Sequence, residues 1–175
     1  MKEIEMNDSL LKIPAEKRYF EDYVPGSIYK FGAVTVEEKE IIEFALHYDP
    51  QIFHIDPEAA RATQFGGVVA SGWHTAAMAM RLLVDNYLPR GASFGSPGVD
   101  ELRWHKPVRP RDVLSVRVTI AGARRSESKP DRGIIRSFVE VLNQERDVVT
   151  SWKGMAVLRC RDNVRSNLTH DGEAV

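Results

Sequence analysis

The sequence is poor in cysteine, in net charge and in long hydrophobic runs, and each shortage excludes a class of protein. Its one cysteine, Cys160, excludes an internal disulfide and fits a reducing compartment. The net charge of −1 gives no global field that would favour nucleic acid. No apolar run approaches the roughly 20 residues of a membrane-spanning helix. Residues 1–17 lack the apolar stretch of a signal peptide, so we expect a cytoplasmic protein with neither nucleic-acid nor membrane partners.

The composition that remains suits one folded domain. Hydrophobic residues make up 43% of the 175 residues, which is enough to bury a core. The two ends, 1–18 and 161–175, are polar and aperiodic, and we interpret them as an N-terminal extension and a C-terminal tail. A single domain is therefore predicted over residues 19–160.

The first part of this domain carries the signals of one strand and one surface helix. Residues 27–36 are rich in strand-forming side chains. Thr35, with Glu38 three residues later, predicts a capping box at the start of the helix. Pro50 disfavours helical geometry before it, so the helix is predicted to end near His47–Tyr48.

Two further helices are predicted before the pattern changes. Asp56 as N-cap and Pro57 at the first helical position predict a short helix that stops at Gly66–Gly67. Residues 71–88 instead carry apolar side chains around nearly the whole helical circumference. A helix of that kind must be buried on most of its surface.

The second half of the chain follows the alternating pattern of strands. Strands are predicted at 99–105, 113–121, 133–143 and 148–159, and their short links indicate an antiparallel meander. An antiparallel sheet that curls around one buried helix is the α+β hotdog arrangement, which is the fold we predict. A single such sheet leaves its edges and one side of the helix exposed, so we expect a homodimer or a higher homo-oligomer.

The first chemical signal is the stretch ALHYDPQIFHID at residues 45–56. Asp49 follows a helix end, His54 comes five residues later, and Ile52 and Phe53 between them are predicted to point inward. A carboxylate and a neutral imidazole held together can share one water molecule and carry out general acid–base catalysis. The pair by itself also fits a turn cap and a structural histidine.

The second signal is the start of the apolar helix. Ser71 is the predicted N-cap and Gly72 the first helical residue, whose N–H has no acceptor inside the helix and lies at its positive end. Because Gly72 has no side chain to block a ligand, its N–H can stabilise the charge that grows on a thioester oxygen, as in an oxyanion hole. A serine followed by glycine is also an ordinary helix cap.

Two other patterns are discounted. GASFG at 91–95 matches the Gly-x-Ser-x-Gly pattern of serine hydrolases, but a helix precedes it and a strand follows it, so Ser93 is predicted to be a loop serine. The histidines and Asp56 between residues 47 and 74 fit no standard ligand spacing, and we expect no metal site.

Three stretches resemble the family of MaoC-like dehydratases and (R)-specific enoyl-CoA hydratases: YFEDYVPGSIY, TVEEKEIIEFALHYDPQIFHIDPEAA and FGGVVASGWHTAAMAMRLL. The resemblance runs from about Tyr19 to Arg159. The family's hydratase motif has an Asp, a His five positions later and a Gly eighteen positions after the His. Asp49, His54 and Gly72 match all three.

The resemblance implies a usually dimeric hotdog protein that acts on acyl thioesters of coenzyme A, with no cofactor other than the coenzyme A of the substrate. It implies that Asp49 and His54 activate the water that adds across a trans-2-enoyl thioester to give the (R)-3-hydroxyacyl thioester, or that leaves in reverse. The backbone of Gly72 would bind the thioester oxygen. Ser71 and Phe53 are further candidates for contact with the substrate.

The sequence departs from the family pattern at four positions. The commoner motif reads Asp-x-Asn-Pro-x-His, whereas here Gln51 replaces the Asn and the proline has moved to Pro50. The His that usually precedes the helix-start Gly is Ser71. Some family members carry a supporting serine in the central helix, where this chain has Met80.

A basic cluster and two other functions stay open. Arg103, Lys106 and Arg109 fit either a solvated turn or a contact with the phosphates of coenzyme A. A hotdog acyl-CoA thioesterase would direct water at the thioester carbon instead of the double bond. A non-catalytic acyl-CoA-binding protein would keep the pocket without turnover.

Overall fold

The computed structural model describes residues 11–161. Two short 3-10 turns, Ala15–Lys17 and Phe20–Asp22, precede the regular elements. These elements are β1 (Ile28–Thr35), α1 (Glu38–Tyr48), α2 (Ile52–Ile55), α3 (Pro57–Ala60), α4 (Gly72–Asn86), β2 (Val99–Trp104), β3 (Val113–Arg125), β4 (Arg132–Leu142) and β5 (Val148–Arg159). Within the described range, no helix combines the length and the hydropathy that a membrane crossing requires.

The strands form one antiparallel sheet in the order β1-β3-β4-β5-β2. The prediction of a meander is correct for β3, β4 and β5 but wrong for β2. Strand β2 pairs with β5 at the edge of the sheet, where Trp104 lies opposite Thr150. The error has a physical reason: alternation shows which face of a strand is buried, but not which neighbour the strand pairs with. The place beside β3 is taken by β1, where Ile28 lies opposite Thr119.

The core lies between the sheet and α4. On β3 the alternation is realised as predicted, since Leu114, Val116, Val118 and Ile120 are all buried. Helix α4 contacts β1, β3 and β5, so the sheet curls around it. This is the hotdog fold, and the prediction of that fold is confirmed.

One side of α4 is not covered by its own sheet. Met80 is 45% exposed and Val84 43%, while Ala79 and Leu83 on the other side are buried. The single chain therefore leaves an apolar stripe on its central helix, as a lone hotdog unit is expected to do.

The predicted helix boundaries were partly wrong. Thr35 is the last residue of β1, paired with Val113, and α1 begins at Glu38 after Glu37, whose side chain makes no capping bond. The capping box is therefore absent, because strand pairing holds Thr35 in an extended conformation. The end of α1 at Tyr48 is confirmed.

The cap of α3 is confirmed, although this helix is shorter than predicted. The carboxylate of Asp56 accepts hydrogen bonds from the N–H groups of Glu58 and Ala59. The helix ends at Ala60, and the chain reaches Gly66 through turns.

The described part of the predicted N-terminal extension, residues 11–18, contacts the domain. The side chain of Arg18 is buried and donates hydrogen bonds to the carbonyls of Asn86 and Tyr87 at the end of α4, where the last carbonyls receive no hydrogen bond from a helical N–H. Residues 1–10 and 162–175, the rest of the extension and most of the tail, lie outside the described residues. The domain boundaries therefore stay a prediction.

Candidate active site

The segment from Asp49 to His54 is irregular over residues 49–51 and enters the short helix α2 at Ile52. The N–H of Gln51 bonds to the Asp49 carbonyl, and that of His54 bonds to the Gln51 carbonyl, which starts α2. Phe53 packs on the core, but Ile52 is 52% exposed, so the prediction that both point inward was wrong. Side chains two positions apart in a helix point about 200° away from each other, so with His54 buried the side chain of Ile52 is directed to the surface.

The ring of His54 is held by a hydrogen bond at its Nδ1. It is 5% exposed, and its Nδ1 lies 2.6 Å from the carbonyl oxygen of Val69. A carbonyl oxygen only accepts, so Nδ1 carries a hydrogen, and in the neutral tautomer that this selects Nε2 is an acceptor. The ring of Phe53 packs edge-on against the imidazole, with centroids 4.4 Å apart.

The carboxylate of Asp49 is held by two donors from different parts of the chain. The hydroxyl of Ser71 donates to Oδ2 at 2.7 Å, and the amide of Gln51 donates to Oδ1 at 2.8 Å. The Ser71 hydrogen bond, followed by that of Gln51, lowers the pKa of Asp49 below its ordinary value against the opposing effect of burial. The group therefore stays a carboxylate at neutral pH.

The two groups face each other across 3.4 Å, measured between Asp49 Oδ2 and His54 Nε2. This separation is longer than a direct hydrogen bond, and with neutral His54 both atoms are acceptors. A water molecule has two hydrogens and can donate one to each. The geometry therefore brings together the predicted pair and is suited to hold one water.

Ser71 joins this pair to the start of α4. Its hydroxyl accepts a hydrogen bond from the N–H of Trp73 at 3.3 Å, which confirms Ser71 as the N-cap, and donates to Asp49. Gly72 is the first residue of α4, so its N–H has no acceptor within the helix. One serine thus fixes both the carboxylate and the helix end.

All four groups line one open cavity of about 400 Å³. The chain segment 104–108 lines the same cavity. The catalytic candidates and the helix-start N–H therefore share one ligand-sized space.

The predicted basic cluster does not gather around this cavity. Lys106 lines it, with its ammonium 2.6 Å from Asp147. Arg109 donates instead to the carbonyl of Phe65 at 2.6 Å, and Arg103 is exposed and bonds to the carbonyl of its neighbour Leu102. Of the three basic residues, Lys106 is the one that lines the cavity, and their role in phosphate binding stays a prediction.

The GASFG pattern lies in a loop. Ser93 lies in the α4–β2 connection, where its hydroxyl accepts from the N–H of Gly95. Across residues 11–161, no group of three or more His, Cys, Asp or Glu side chains could hold a metal ion.

Two residues of the site were missed from the sequence. Gln51 was noted as a departure from the family motif, but its position two residues after Asp49 was the signal that its amide could reach the carboxylate. Trp104 lies against Gly72, where a Cβ added to the glycine would overlap the indole ring. The sequence had no signal for this contact, because it depends on the pairing of β2 with β5.

Comparison with known proteins places the chain in one family. Residues 22–139 match the family model described as a MaoC like domain. The crystal structure of a MaoC-like dehydratase from Rhodospirillum rubrum is 41% identical, with a TM-score of 0.76, and the match covers 82% of this chain and 98% of that one.

Curated proteins give the same relationship. The 3-hydroxyacyl-thioester dehydratase Z of Mycobacterium tuberculosis is 35% identical over 110 residues, which are 62% of this chain and 73% of that protein. YdeM, an uncharacterised protein of Bacillus subtilis, is 26% identical over 125 residues, covering 71% and 87%. With the motif residues assembled around one cavity in a hotdog fold, the chain belongs to the MaoC-like dehydratase family.

Proposed function

We propose that the protein is a hydratase/dehydratase that adds water reversibly across the double bond of a trans-2-enoyl-CoA to give the (R)-3-hydroxyacyl-CoA. The observation that carries the proposal is the 3.4 Å separation of Asp49 Oδ2 and His54 Nε2, with each group oriented by a further hydrogen bond. Membership of the family supports the reaction type, as does the likeness to a 3-hydroxyacyl-thioester dehydratase. The R configuration and the coenzyme A carrier come from the resemblance of the motif.

In the hydration direction, the oxygen of the shared water attacks C3 of the enoyl group while His54 Nε2 takes one of its protons. The electron pair of the C2–C3 double bond moves toward the thioester, whose oxygen gains negative charge. The N–H of Gly72 stabilises that charge. C2 then takes a proton that the pair returns, so that the product has gained one water and the pair is restored.

The wild-type protein tests this directly. Added to crotonyl-CoA, it should remove the absorbance of the conjugated thioester, and in the reverse direction it should dehydrate (R)- but not (S)-3-hydroxybutyryl-CoA. Release of free thiol, detected with Ellman's reagent, would instead indicate a thioesterase. Tight binding without turnover across short, long and branched enoyl-CoA substrates would indicate a non-catalytic acyl-CoA-binding protein.

Ser71→Ala is expected to move the acid limb of the pH profile of kcat/KM to higher pH. The hydrogen bond from Ser71 is the largest cause of the lowered pKa of Asp49, so its removal raises that pKa. The active form needs Asp49 as a carboxylate. With a raised pKa, Asp49 is protonated at a higher pH, so activity falls at a higher pH than in the wild type. Loss of the helix cap also lowers the free energy of unfolding by about 1 kcal/mol.

The control for this experiment is Ser71→Thr, which keeps a hydroxyl at the same position. It should restore most of the wild-type profile and the helix cap. An acid limb that stays in place in Ser71→Ala would show that the hydrogen bond from Ser71 does not set the protonation of the catalytic carboxylate.

The proposed assembly is a homodimer that covers the exposed side of α4 and the free edge of the sheet. Met80 and Val84 on α4 and Val99 on β2 are exposed apolar side chains, and the contact between Trp73 and Trp104 joins the two elements. A two-fold axis beside β2 would pair the β2 edges of two subunits. The same contact would bury the exposed apolar side chains of α4 in both subunits.

Val84→Lys is accordingly expected to shift the protein from dimer to monomer, because it places a charge in an apolar contact. The matched control is Leu46→Lys, which changes a side chain of α1 that is 58% exposed and lies outside the stripe. Molar mass from light scattering at micromolar concentration checks both. A dimer that persists in Val84→Lys, or a wild-type monomer, would contradict the proposed interface.

A further inference from the structure

The end of β2 places an indole directly beside the start of α4. Trp104 lies opposite Thr150, which is fully buried, and residues opposite each other in an antiparallel pair share a face of the sheet. Trp104 therefore projects from the face that turns toward α4. There it meets Trp73 edge-on, with centroids 5.6 Å apart and an angle of 73° between the rings.

The indole nitrogen lies close to the N–H of Gly72. A Cβ added to Gly72 would overlap both Nε1 and Cε2 of Trp104. The glycine nitrogen is two bonds from that same point, so the two nitrogens lie within about 5 Å of each other. Two donors at that separation can both reach a single oxygen at ordinary hydrogen-bond length.

The indole N–H is also available to a ligand. An indole nitrogen only donates, and within residues 11–161 the Nε1 of Trp104 has no acceptor. Trp104 is 48% exposed and lines the same cavity as Asp49 and His54. Its N–H is thus left for a group that enters this cavity.

We propose that the Nε1–H of Trp104 is a second donor to the thioester oxygen, next to the N–H of Gly72. This inference rests on the proposed hydratase function and adds to it a side-chain donor from β2 beside the start of α4. Two donors aimed at one oxygen stabilise the developing enolate more than one does, and removal of one donor of an oxyanion hole typically costs about 10²–10³-fold in kcat.

The kinetic test is Trp104→Phe, which keeps an aromatic wall and removes the N–H. The expected result with crotonyl-CoA is a fall of about 10²-fold in kcat with KM changed only a few-fold. The matched control is Trp152→Phe, which removes an indole N–H outside the cavity and should keep kcat within about two-fold of the wild type. An unchanged kcat in Trp104→Phe, or an equal fall in both variants, overturns the proposal, and thermal melts check that both variants are folded.

A second readout does not depend on turnover. Butyryl-CoA has the thioester oxygen but no double bond to hydrate, and S-butyl-CoA, a thioether, lacks the oxygen. In ¹⁵N NMR of the wild type, butyryl-CoA should shift the indole N–H of Trp104 downfield and S-butyl-CoA should not, while buried Trp152 stays in place with both.

The outcomes separate this inference from the function on which it rests. If the wild type hydrates crotonyl-CoA but shows no thioester-dependent shift of the Trp104 N–H, Trp104 is not a second donor. The proposed function is unaffected by that result. A wild type that binds the thioester with the shift but hydrates no enoyl-CoA overturns the proposed function and the catalytic part of this inference.

Discussion

Asp49→Asn and His54→Asn should each lower the rate of crotonyl-CoA hydration by about 10²–10⁴-fold, the range that general acid–base groups contribute. Asparagine at 49 cannot hold the water with a negative charge, and asparagine at 54 cannot take its proton. Because the two groups act on one water, the double variant should be little slower than the worse of the single variants. Initial rates measured with substrate in excess check all three.

The controls for this experiment are Asp56→Asn and His47→Asn. Asparagine at 56 can still cap α3, where Asp56 accepts from two N–H groups, and His47 is exposed on α1 away from the cavity. Both controls should keep wild-type rates, and circular dichroism should show all variants folded. Full activity in both Asp49→Asn and His54→Asn would show that the pair is not the catalytic centre.

Gly72→Ala is expected to lower kcat/KM by about 10²-fold, because an added methyl group would overlap the indole of Trp104 and displace a wall of the cavity at the proposed thioester site. Alanine favours a helix more than glycine does, so the backbone of α4 has no reason to unfold. Steady-state kinetics together with a thermal melt separate loss of the site from loss of the fold.

The matched control is Gly122→Ala on β3, where an added Cβ meets no atom within 4 Å. That variant should keep both its activity and its melting temperature. If Gly72→Ala kept full activity, the close contact between the helix start and Trp104 would not matter for the reaction.

Short-range signals in the sequence predicted much of the fold. The cap by Asp56, the end of α1 at Tyr48 and the start of α4 at Gly72 depend on side chains within a few residues, and all three are observed. The alternation of β3 likewise reports burial on one face. These signals can be recognised in the sequence because the interacting residues are close together along the chain.

Pairings between distant segments could not be predicted in this way. The position of β2 beside β5, with Trp104 opposite Thr150, depends on how the whole sheet closes around α4. Thr35 has the side chain of a helix cap, yet pairing with Val113 keeps it in β1. In both cases a long-range hydrogen-bond ladder overrides a local preference.

Proximity in sequence did not predict the contacts of the basic residues. Arg103, Lys106 and Arg109 lie within a few positions of each other, but each makes contact with a different partner. The reason is that their segment changes direction after β2, so neighbouring side chains point to different parts of the surface.

The departures from the family motif have a physical account at two positions. Gln51 places its amide on Asp49 Oδ1, and the Ser71 hydroxyl holds Oδ2. Met80, where some family members carry a supporting serine, is half exposed and does not line the cavity. The hydroxyl that supports the carboxylate thus comes from the helix cap in this chain.

The proposed reaction is defined by the carbon atom that receives the oxygen of the water. Crotonyl-CoA incubated with the wild-type protein in H₂¹⁸O, followed by mass spectrometry of the product, measures this directly. We predict one ¹⁸O at the C3 hydroxyl of an intact 3-hydroxybutyryl-CoA thioester, and no label incorporated by the Asp49→Asn or His54→Asn variants on the same time scale. Label in a free carboxylate, with coenzyme A released, or no label in any product of the wild type, would contradict the account.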